Sequence, residues 1–188
     1  MSTDHFPLFF TDLDGSLLDH HSYSWAAAQP ALDELARRGI PVIPTTSKTA
    51  AELFELRTAI GLSSAFIVEN GGAFYLPKSE ASTAVSNRLD VAVEQGDYLV
   101  YSLARPRDYW LKLLEGFRME YPDCFEGFAT MSRERLMELT SLDSKSADMA
   151  LLREYGEPLH WLGSDQEKDT FTDKLKARGA RVLQGGRF

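Results

Sequence analysis

The first eighty residues alternate between two patterns of apolar and polar positions. Short, continuous apolar runs are typical of buried strands, and apolar residues recurring every three or four positions are typical of helices. These patterns predict strands at 7–11, 40–46 and 65–69, and helices at 26–38 and from about 49 to 60. The order strand, helix, strand, helix, strand is typical of an α/β domain with a parallel sheet.

Local signals mark the ends of these elements. Gly39 and Gly61 follow the two helices, at the position where a left-handed glycine commonly ends a helix. The segment Thr49–Glu52 has the spacing of a capping box, so the second helix is expected to begin directly after its first residue. The Asn-Gly-Gly sequence at 70–72 predicts a turn into the apolar segment 73–77.

A second α/β unit is predicted after a polar, weakly patterned stretch at 79–95, and we place the domain boundary between residues 80 and 81. Beyond the boundary the pattern predicts strands at 98–104, 125–130, 159–162 and 181–184. It predicts helices at 107–121, 133–140 and 144–155, and another that begins near 164. The sequence thus predicts a first domain at 1–80 and a second domain at 81–188.

The composition indicates which binding partners and which cellular compartment to expect. The chain has 188 residues, a formal net charge of −8 and no run of basic residues, which argues against a nucleic-acid partner or an anionic membrane. No apolar stretch approaches the roughly 20 residues of a membrane span, and the first residues lack the features of a signal peptide. Cys124 is the only cysteine, which excludes an intrachain disulfide, and we expect a cytoplasmic protein.

Residues suited to phosphate chemistry come directly after each of the three predicted strands. Ligands of open α/β sheets bind beyond the carboxyl ends of the strands, so these residues are expected to meet there. The first strand is followed by Asp12 and Asp14, the second by Thr46, Ser47 and Lys48, and the third by Glu69, Asn70 and Gly71. Paired carboxylates beside hydroxyls and an amine indicate an attack on a phosphate assisted by Mg²⁺.

The residue types suggest a role for each position. Asp12 is the predicted nucleophile, which forms an aspartyl-phosphate, and Asp14 is the predicted acid and base for the leaving oxygen and for water. Thr46, with Ser47 and Lys48 beside it, is expected to bind the phosphate. Taken singly, such motifs also occur as a calcium loop, a helix cap or a hairpin turn. Their occurrence together at three strand ends favours an enzymatic site over these structural roles. A calcium loop of the EF-hand type is also disfavoured, because its glycine stands at the sixth position and the loop follows a helix, whereas here the glycine is fourth and a strand precedes it.

At these residues the sequence resembles a known family. The segments "FFTDLDGSLLD", "IPVIPTTSKT" and "FIVENGG" are similar to haloacid dehalogenase superfamily phosphatases of the branch with an α/β cap inserted after the third strand. The resemblance implies a Rossmann-like α/β core with a parallel sheet, here partial, and an inserted α/β cap. It also implies Asp12 as nucleophile and Asp14 as acid and base, with Mg²⁺ held by Asp12 and the Asp14 backbone carbonyl.

Further segments, "VENGG", "REYGEPLHW" and "GGRF", are similar to the mannosyl-3-phosphoglycerate phosphatases within that superfamily. This resemblance implies that Arg153, Glu157 and Arg187 contact the substrate from the cap. We assign the segment Glu69–Gly71 to the substrate as well. Gly156 departs from the pattern, since the family often has a serine there.

The superfamily also requires a lysine and a further acidic motif near the nucleophile, and two interpretations are open. In the first, Lys145 is that lysine, Asp165 and Asp169 are the acidic motif, and the enzyme is complete. In the second, Ser164–Glu167 is only a capping box within the cap, and both missing parts follow Phe188. We favour the second interpretation, which predicts a chain that is weakly active or inactive.

The sequence therefore predicts a Mg²⁺-dependent phosphatase of a phosphorylated sugar or glycerate conjugate. The alternatives are another phosphosugar phosphatase or a phosphomutase of the same cap class, and a non-catalytic fragment that binds a phosphorylated ligand. In the superfamily, the strands that carry the lysine and the acidic motif lie beside the first strand. Without them the strand at 7–11 is an apolar edge, so we expect self-association through it.

Overall fold

The computed structural model describes residues 7–20, 22–81 and 92–184. The chain forms two compact units, Met1–Arg105 and Pro106–Phe188. None of the helices in the described ranges combines the length and the apolar character that a bilayer span requires.

Parallel strands joined by helices make up the first part of the first unit. Its helices are α1 (Gln29–Arg37) and α2 (Ala50–Ile60). Its strands are β1 (Phe9–Thr11), β2 (Val42–Pro44), β3 (Phe66–Val68), β4 (Ala73–Pro77), β5 (Val93–Gln95) and β6 (Tyr98–Ser102), and a short 3-10 helix covers Lys78–Glu80. β1 pairs in parallel with β2, and a parallel bridge between Thr45 and Ile67 continues the pairing to β3. The predicted parallel order of the first three strands is confirmed.

The sheet of the first unit continues past the predicted domain boundary. β4 pairs antiparallel with β3, and β6 pairs antiparallel with β4, with Tyr75 opposite Val100. β5 then pairs with β6. These pairings join the residues up to Arg105 to the first unit, whereas the sequence placed the boundary between residues 80 and 81. The assignment of the two units as core and cap stays a prediction.

A cluster of aromatic rings fixes α2 against the sheet. Phe66 of β3 stacks on Tyr75 of β4 with ring centroids 4.7 Å apart, and Phe54 of α2 meets Phe66 edge-on at 5.4 Å. The buried guanidinium of Arg57 lies 4.3 Å from the Phe66 centroid and donates to the Tyr98 hydroxyl at 3.0 Å. These contacts hold α2, and with it the loop that precedes α2, in a fixed position relative to β3.

The second unit combines helices with a pair of antiparallel strands. The helices are α3 (Arg107–Glu115), α4 (Arg133–Thr140), α5 (Ser144–Leu151) and α6 (Asp165–Ala177), and the paired strands are β7 (Phe125–Gly127) and β8 (Leu159–Trp161). One apolar cluster joins α3, α6 and β7, and it includes Leu114, Phe117, Tyr121, Phe125, Phe171 and Leu175. A second cluster joins α4 and α5 through Phe128, Leu136, Ala147 and Ala150.

Some predicted elements of the second unit differ in the structure. α3 and α5 end earlier than predicted, at Glu115 and Leu151. The predicted strand at 181–184 is wrong, since these residues have no regular structure. Val182 and Leu183 are exposed, so this segment lacks the buried face that would hold a strand in a sheet.

β1 is an exposed edge of the sheet. Among the residues that the structure describes, it pairs with β2 alone. Phe9 and Phe10, whose side chains alternate between the two faces of the strand, are 45% and 55% exposed, and Leu8 is 53% exposed. An apolar strand that is open along one edge and on both faces is a template for pairing with another strand.

We propose that a second copy of the chain pairs along β1. Phe10→Lys places a charge on this edge, so we expect the variant to shift a self-associated protein toward the monomer in sedimentation velocity. Met119→Lys is the control, because Met119 is an apolar side chain outside β1 that is 93% exposed. A wild-type chain that stays monomeric at all accessible concentrations would contradict the proposal.

Candidate active site

Asp12 and Asp14 flank a fully buried leucine directly after β1. Leu13 has 0% exposure, whereas both aspartates are exposed. Burial of the intervening side chain leaves the two carboxylates on the solvent side of the loop. The D-x-D spacing therefore presents a pair of acids at the carboxyl end of β1.

A tight turn holds the two aspartates in place. Oδ1 of Asp12 accepts a hydrogen bond from the Leu13 N–H at 2.7 Å, and the Gly15 N–H donates to the Leu18 carbonyl at 3.0 Å. Gly15 has a φ of 71°, a left-handed conformation that a residue with a Cβ adopts at a cost. The buried side chains of Leu17 and Leu18 anchor the turn in the core.

The loop after β2 is hydrogen-bonded to the strands on both sides. The Thr45 N–H donates to the Thr11 carbonyl at 2.8 Å, and the Thr46 N–H donates to the Ile67 carbonyl at 3.1 Å. The Thr46 carbonyl accepts the Asn70 N–H at 2.9 Å. Main-chain groups thus hold the carboxyl ends of the three parallel strands together.

Thr49 connects this loop to α2 through a capping box, as the sequence predicted. Its hydroxyl oxygen accepts the Glu52 N–H at 3.2 Å, and Oε2 of Glu52 accepts the Thr49 N–H and hydroxyl at 2.8 and 2.9 Å. Thr46, which is buried, accepts the Lys48 N–H through its own hydroxyl oxygen at 3.2 Å. The segment between β2 and α2 is therefore fixed by its own polar groups.

Lys48 lies between the acidic groups of the site. Its Nζ is 3.2 Å from Oδ1 of Asp14 and 4.0 Å from Oε1 of Glu52, and its side chain is 15% exposed. The ring of Tyr23 lies against the ammonium, with its centroid 5.4 Å from Nζ. This positive charge beside the acids reduces the repulsion that an incoming phosphate dianion would meet.

The loop after β3 contains three consecutive left-handed residues. The φ angle is 49° at Glu69, 57° at Asn70 and 89° at Gly71. Positive φ is uncommon outside glycine, and such residues cluster at functional sites. The Glu69 N–H donates to the Lys48 carbonyl at 3.0 Å, which binds this loop to the loop after β2.

The first unit thus brings the residues predicted for catalysis and phosphate binding to one edge of its sheet. They are Asp12, Asp14, Thr46, Ser47 and Lys48, with Glu69, Asn70 and Gly71 in the adjoining loop. Arg153 and Glu157, predicted to contact the substrate, belong to the second unit, and Arg187 lies outside the described residues.

The residues of the complete-enzyme interpretation also belong to the second unit. Lys145 lies in the first turn of α5, and Asp165 and Asp169 lie in α6. The capping box formed by Ser164 and Glu167 is confirmed, so the acidic sequence here has a local structural role at the start of α6.

The oxygen ligands predicted here, the Asp12 carboxylate and the Asp14 backbone carbonyl, are of the type that suits Mg²⁺. This ion prefers oxygen ligands and is commonly held by one or two carboxylates together with water and substrate phosphate. Within the described residues no group of three or more His, Cys, Asp or Glu side chains could hold a metal ion.

Sequence reasoning missed two residues of this site. Tyr23 has a φ of 54° and a half-exposed ring against Lys48, and the local pattern signals neither property. Glu52 was assigned only as a capping residue. Its spacing of four residues from Lys48 was the available signal that both side chains lie on one side of the first turn of α2.

Cys124, in the second unit, has no features of a nucleophile. Partial burial raises the pKa of its thiol above the ordinary value, and the negative charges of Glu167 and Asp123 raise it further. The thiolate is the reactive form, so a raised pKa makes this cysteine less reactive at neutral pH.

Loss of the cap at Thr49 should destabilise the first unit. We expect Thr49→Ala to lower the free energy of unfolding by about 0.5–2 kcal/mol, because the Glu52 N–H loses its acceptor and the Glu52 carboxylate loses the bond from the Thr49 hydroxyl. Thr58→Ala is the matched control, since Thr58 is an exposed threonine within the same helix. Urea unfolding measures both variants, and equal midpoints would contradict the role assigned to Thr49.

The sequence matches the haloacid dehalogenase-like hydrolase family over residues 9–122. It is 35% identical over 181 residues to a glucosyl-3-phosphoglycerate/mannosyl-3-phosphoglycerate phosphatase of Methanococcoides burtonii. It is 32% identical over 185 residues to a protein of the same name from Persephonella marina. Both alignments cover 96% of this chain, and the chain spans 65% and 64% of the length of these two relatives.

The structure is similar to solved structures of the same superfamily. It matches a phosphatase of the haloalkanoate (HAD) enzyme superfamily from Bacteroides thetaiotaomicron with a TM-score of 0.58 and 15% sequence identity, over 93% of this chain and 62% of that chain. At this identity the likeness concerns the fold, and it confirms the predicted Rossmann-like α/β class. Together with the family match over residues 9–122, the fold shows that the chain belongs to the haloacid dehalogenase-like hydrolases.

Proposed function

We propose that the protein is a Mg²⁺-dependent phosphatase that hydrolyses a glycosyl-3-phosphoglycerate through an aspartyl-phosphate on Asp12. The observation that carries the proposal is the exposed pair Asp12 and Asp14 at the end of β1, beside a loop that is hydrogen-bonded to both neighbouring strands. The substrate class follows from the names of the relatives that are 35% and 32% identical to this chain.

Asp12 attacks the phosphorus in the first step. A carboxylate oxygen forms a bond to phosphorus, the bond from phosphorus to the ester oxygen breaks, and the leaving oxygen takes a proton from the Asp14 carboxyl. The product at this stage is an aspartyl-phosphate and a free alcohol. Asp12 is exposed, so its carboxylate is open to a substrate.

Water completes the reaction in the second step. Asp14, now a carboxylate, takes a proton from a water molecule, whose oxygen attacks phosphorus, and the Asp12 carboxylate leaves. Inorganic phosphate is released and both aspartates return to their starting state. The hydrogen bond from the Leu13 N–H to Asp12 helps to stabilise the departing carboxylate.

The remaining residues of the edge neutralise and orient the phosphate. Mg²⁺ held by Asp12 and the Asp14 carbonyl would supply charge neutralisation for the phosphate when it is bound. Lys48 adds a further positive charge 3.2 Å from the Asp14 carboxylate, and Thr46 and Ser47 supply hydroxyl groups. Asn70 and its left-handed neighbours in the segment Glu69–Gly71 are assigned to the substrate.

Further substrate contacts in this proposal come from residues of the second unit. The phosphoglycerate part of the substrate is anionic, so the guanidinium groups of Arg153 and Arg187 are the proposed contacts. We further propose a cytoplasmic location, which the single cysteine supports.

The alternative functions have distinct products. A phosphomutase returns an isomeric phosphosugar, a phosphatase releases inorganic phosphate, and a non-catalytic protein only binds the ligand. An assay of inorganic phosphate with a glycosyl-3-phosphoglycerate and with a small aryl phosphate identifies a phosphatase. Analysis of the organic products for an isomeric phosphosugar then separates a phosphomutase from a non-catalytic protein. The assay should use the 188-residue chain and, where the reading frame continues past Phe188, the longer protein as well.

Mg²⁺ affinity should depend on the aspartates after β1 and not on those of α6. We expect Asp12→Ala to weaken Mg²⁺ binding by roughly tenfold or more, since one of few oxygen ligands is lost. Asp165→Ala and Asp169→Ala are the controls and should bind Mg²⁺ like the wild type. Isothermal titration calorimetry measures the affinities, and weakened binding in either control would restore the interpretation in which α6 carries the acidic motif.

Turnover should require the carboxylate of Asp12. In a form of the protein that releases phosphate, Asp12→Asn should abolish activity while the circular dichroism spectrum stays unchanged, because an amide cannot form the acyl-phosphate. Asp14→Asn should also strongly reduce turnover, but the protein phosphorylated on Asp12 should accumulate, and mass spectrometry should detect it. Substantial activity in purified Asp12→Asn would rule out the mechanism.

A further inference from the structure

Arg107 connects three separate segments of the second unit. It is the first residue of α3, and its side chain is 13% exposed. The partner carboxylate of Glu157 is 2% exposed, so the ion pair between them is almost completely removed from solvent. A buried ion pair of this kind is costly to break, because the charge that remains is left without compensation.

The pair has an asymmetric geometry. The Arg107 Nε donates to Oε2 of Glu157 at 2.6 Å, and Nη2 lies 2.6 Å from the same oxygen without the angle of a hydrogen bond. The other oxygen, Oε1, accepts the Ala129 N–H at 2.8 Å. Both oxygens of Glu157 are therefore occupied by groups of the second unit, although the sequence predicted this residue as a substrate contact.

Arg107 also binds the backbone of the loop that precedes Glu157. Its Nη1 donates to the Leu151 carbonyl at 3.1 Å, and its main-chain N–H donates to the Glu154 carbonyl at 2.7 Å. The loop between α5 and β8 is thus held at its start, in its middle and at its end by one arginine. Arg153 lies within this loop and donates from Nε to the Gly156 carbonyl at 3.3 Å.

Gly127 leaves room for this arrangement. A Cβ built at Gly127 would lie 2.5 Å from Oε1 of Glu157. At this distance a residue with a side chain would fit only if neighbouring atoms moved. Gly127 is the last residue of β7, two residues before Ala129. The end of β7 therefore has the shape that the buried carboxylate requires.

We propose that Arg107 is a positioning residue for substrate recognition, which holds the loop 152–158 so that Arg153 meets the substrate in one orientation. The inference rests on the proposed function, since it takes Arg153 as a substrate contact. Glu157 acts through the same loop and does not itself touch the substrate. Because a displaced guanidinium loses its directed hydrogen bonds to an anion, loosening the loop should weaken substrate binding without affecting the reacting groups.

The first test is amide hydrogen exchange in the intact chain. Ala129 is exposed, and its N–H is bound to Glu157, so its exchange rate reports whether the carboxylate stays in place. In Arg107→Met we expect the Ala129 amide to exchange roughly tenfold faster or more, because the unpaired carboxylate turns to solvent. Arg133→Met is the matched control, since Arg133 is the first residue of α4 and forms an exposed ion pair with Asp148.

The second test separates positioning from stability. In a form that releases phosphate, Arg107→Met should raise KM for the glycosyl-3-phosphoglycerate by roughly tenfold, with kcat and the hydrolysis of a small aryl phosphate unchanged. Arg107→Lys keeps the positive charge but lacks the planar guanidinium that donates several hydrogen bonds at once. Its KM should therefore lie between those of the wild type and Arg107→Met. Arg107→Lys also replaces Arg107→Met in both tests if the methionine variant does not fold.

The outcomes distinguish the two proposals. Unchanged Ala129 exchange, or unchanged KM beside a lowered melting temperature, overturns the positioning role of Arg107 and leaves the phosphatase proposal in place. A wild type that hydrolyses the aryl phosphate but not the glycosyl-3-phosphoglycerate overturns the proposed substrate and with it the role of Arg107 in recognition. Faster exchange together with a raised KM in Arg107→Met, and neither change in Arg133→Met, supports the inference.

Discussion

The hydrogen bonds from the loop after β2 to both of its neighbours are the constraint on which the candidate site depends. Thr45 binds the carbonyl that ends β1, and Thr46 binds Ile67 and Asn70 on the side of β3. Because these bonds join main-chain groups, they set the spacing of the three strand ends whatever side chains the loops carry. The side chains at those ends are then available for chemistry, and the capping box at Thr49 fixes the exit into α2.

The charged side chains of the site lie on the strand ends that these main-chain hydrogen bonds hold together. Two carboxylates on the solvent side of Leu13 would repel each other and an incoming phosphate. Lys48 is held 3.2 Å from Asp14 and is largely shielded from water, so it offsets part of that repulsion before any ligand binds. In the proposed function, a divalent cation and the phosphate would enter a site whose polar groups already have defined positions.

Local signals in the sequence were sufficient for the parts of the structure that depend on neighbouring residues. Asp12 and Asp14 after an apolar run, the capping boxes at Thr49 and Ser164, and the left-handed Gly61 all depend on contacts within a few residues. The fold class followed from the alternation of the elements. These features need no knowledge of what lies far away in the chain.

Features that depend on distant residues could not be predicted in the same way. The pairing of β4 with β6 moved the end of the first unit to Arg105, because strand pairing across a polar segment leaves no trace in either strand alone. The ion pair of Arg107 with Glu157 joins residues fifty positions apart, and nothing in the sequence marks either as buried. The ring of Tyr23 against Lys48 is a contact of the same kind.

We propose that the ends of β1, β2 and β3 form one phosphate site with Asp12 as the nucleophile. A crystal structure of the protein soaked with Mg²⁺ and beryllofluoride, an analogue of the phosphoryl group, tests it most directly. The account predicts beryllium bonded to a carboxylate oxygen of Asp12, with the hydroxyl of Thr46 hydrogen-bonded to a fluoride. Beryllofluoride bonded to another residue, or Mg²⁺ bound away from Asp12 and Asp14, would contradict it.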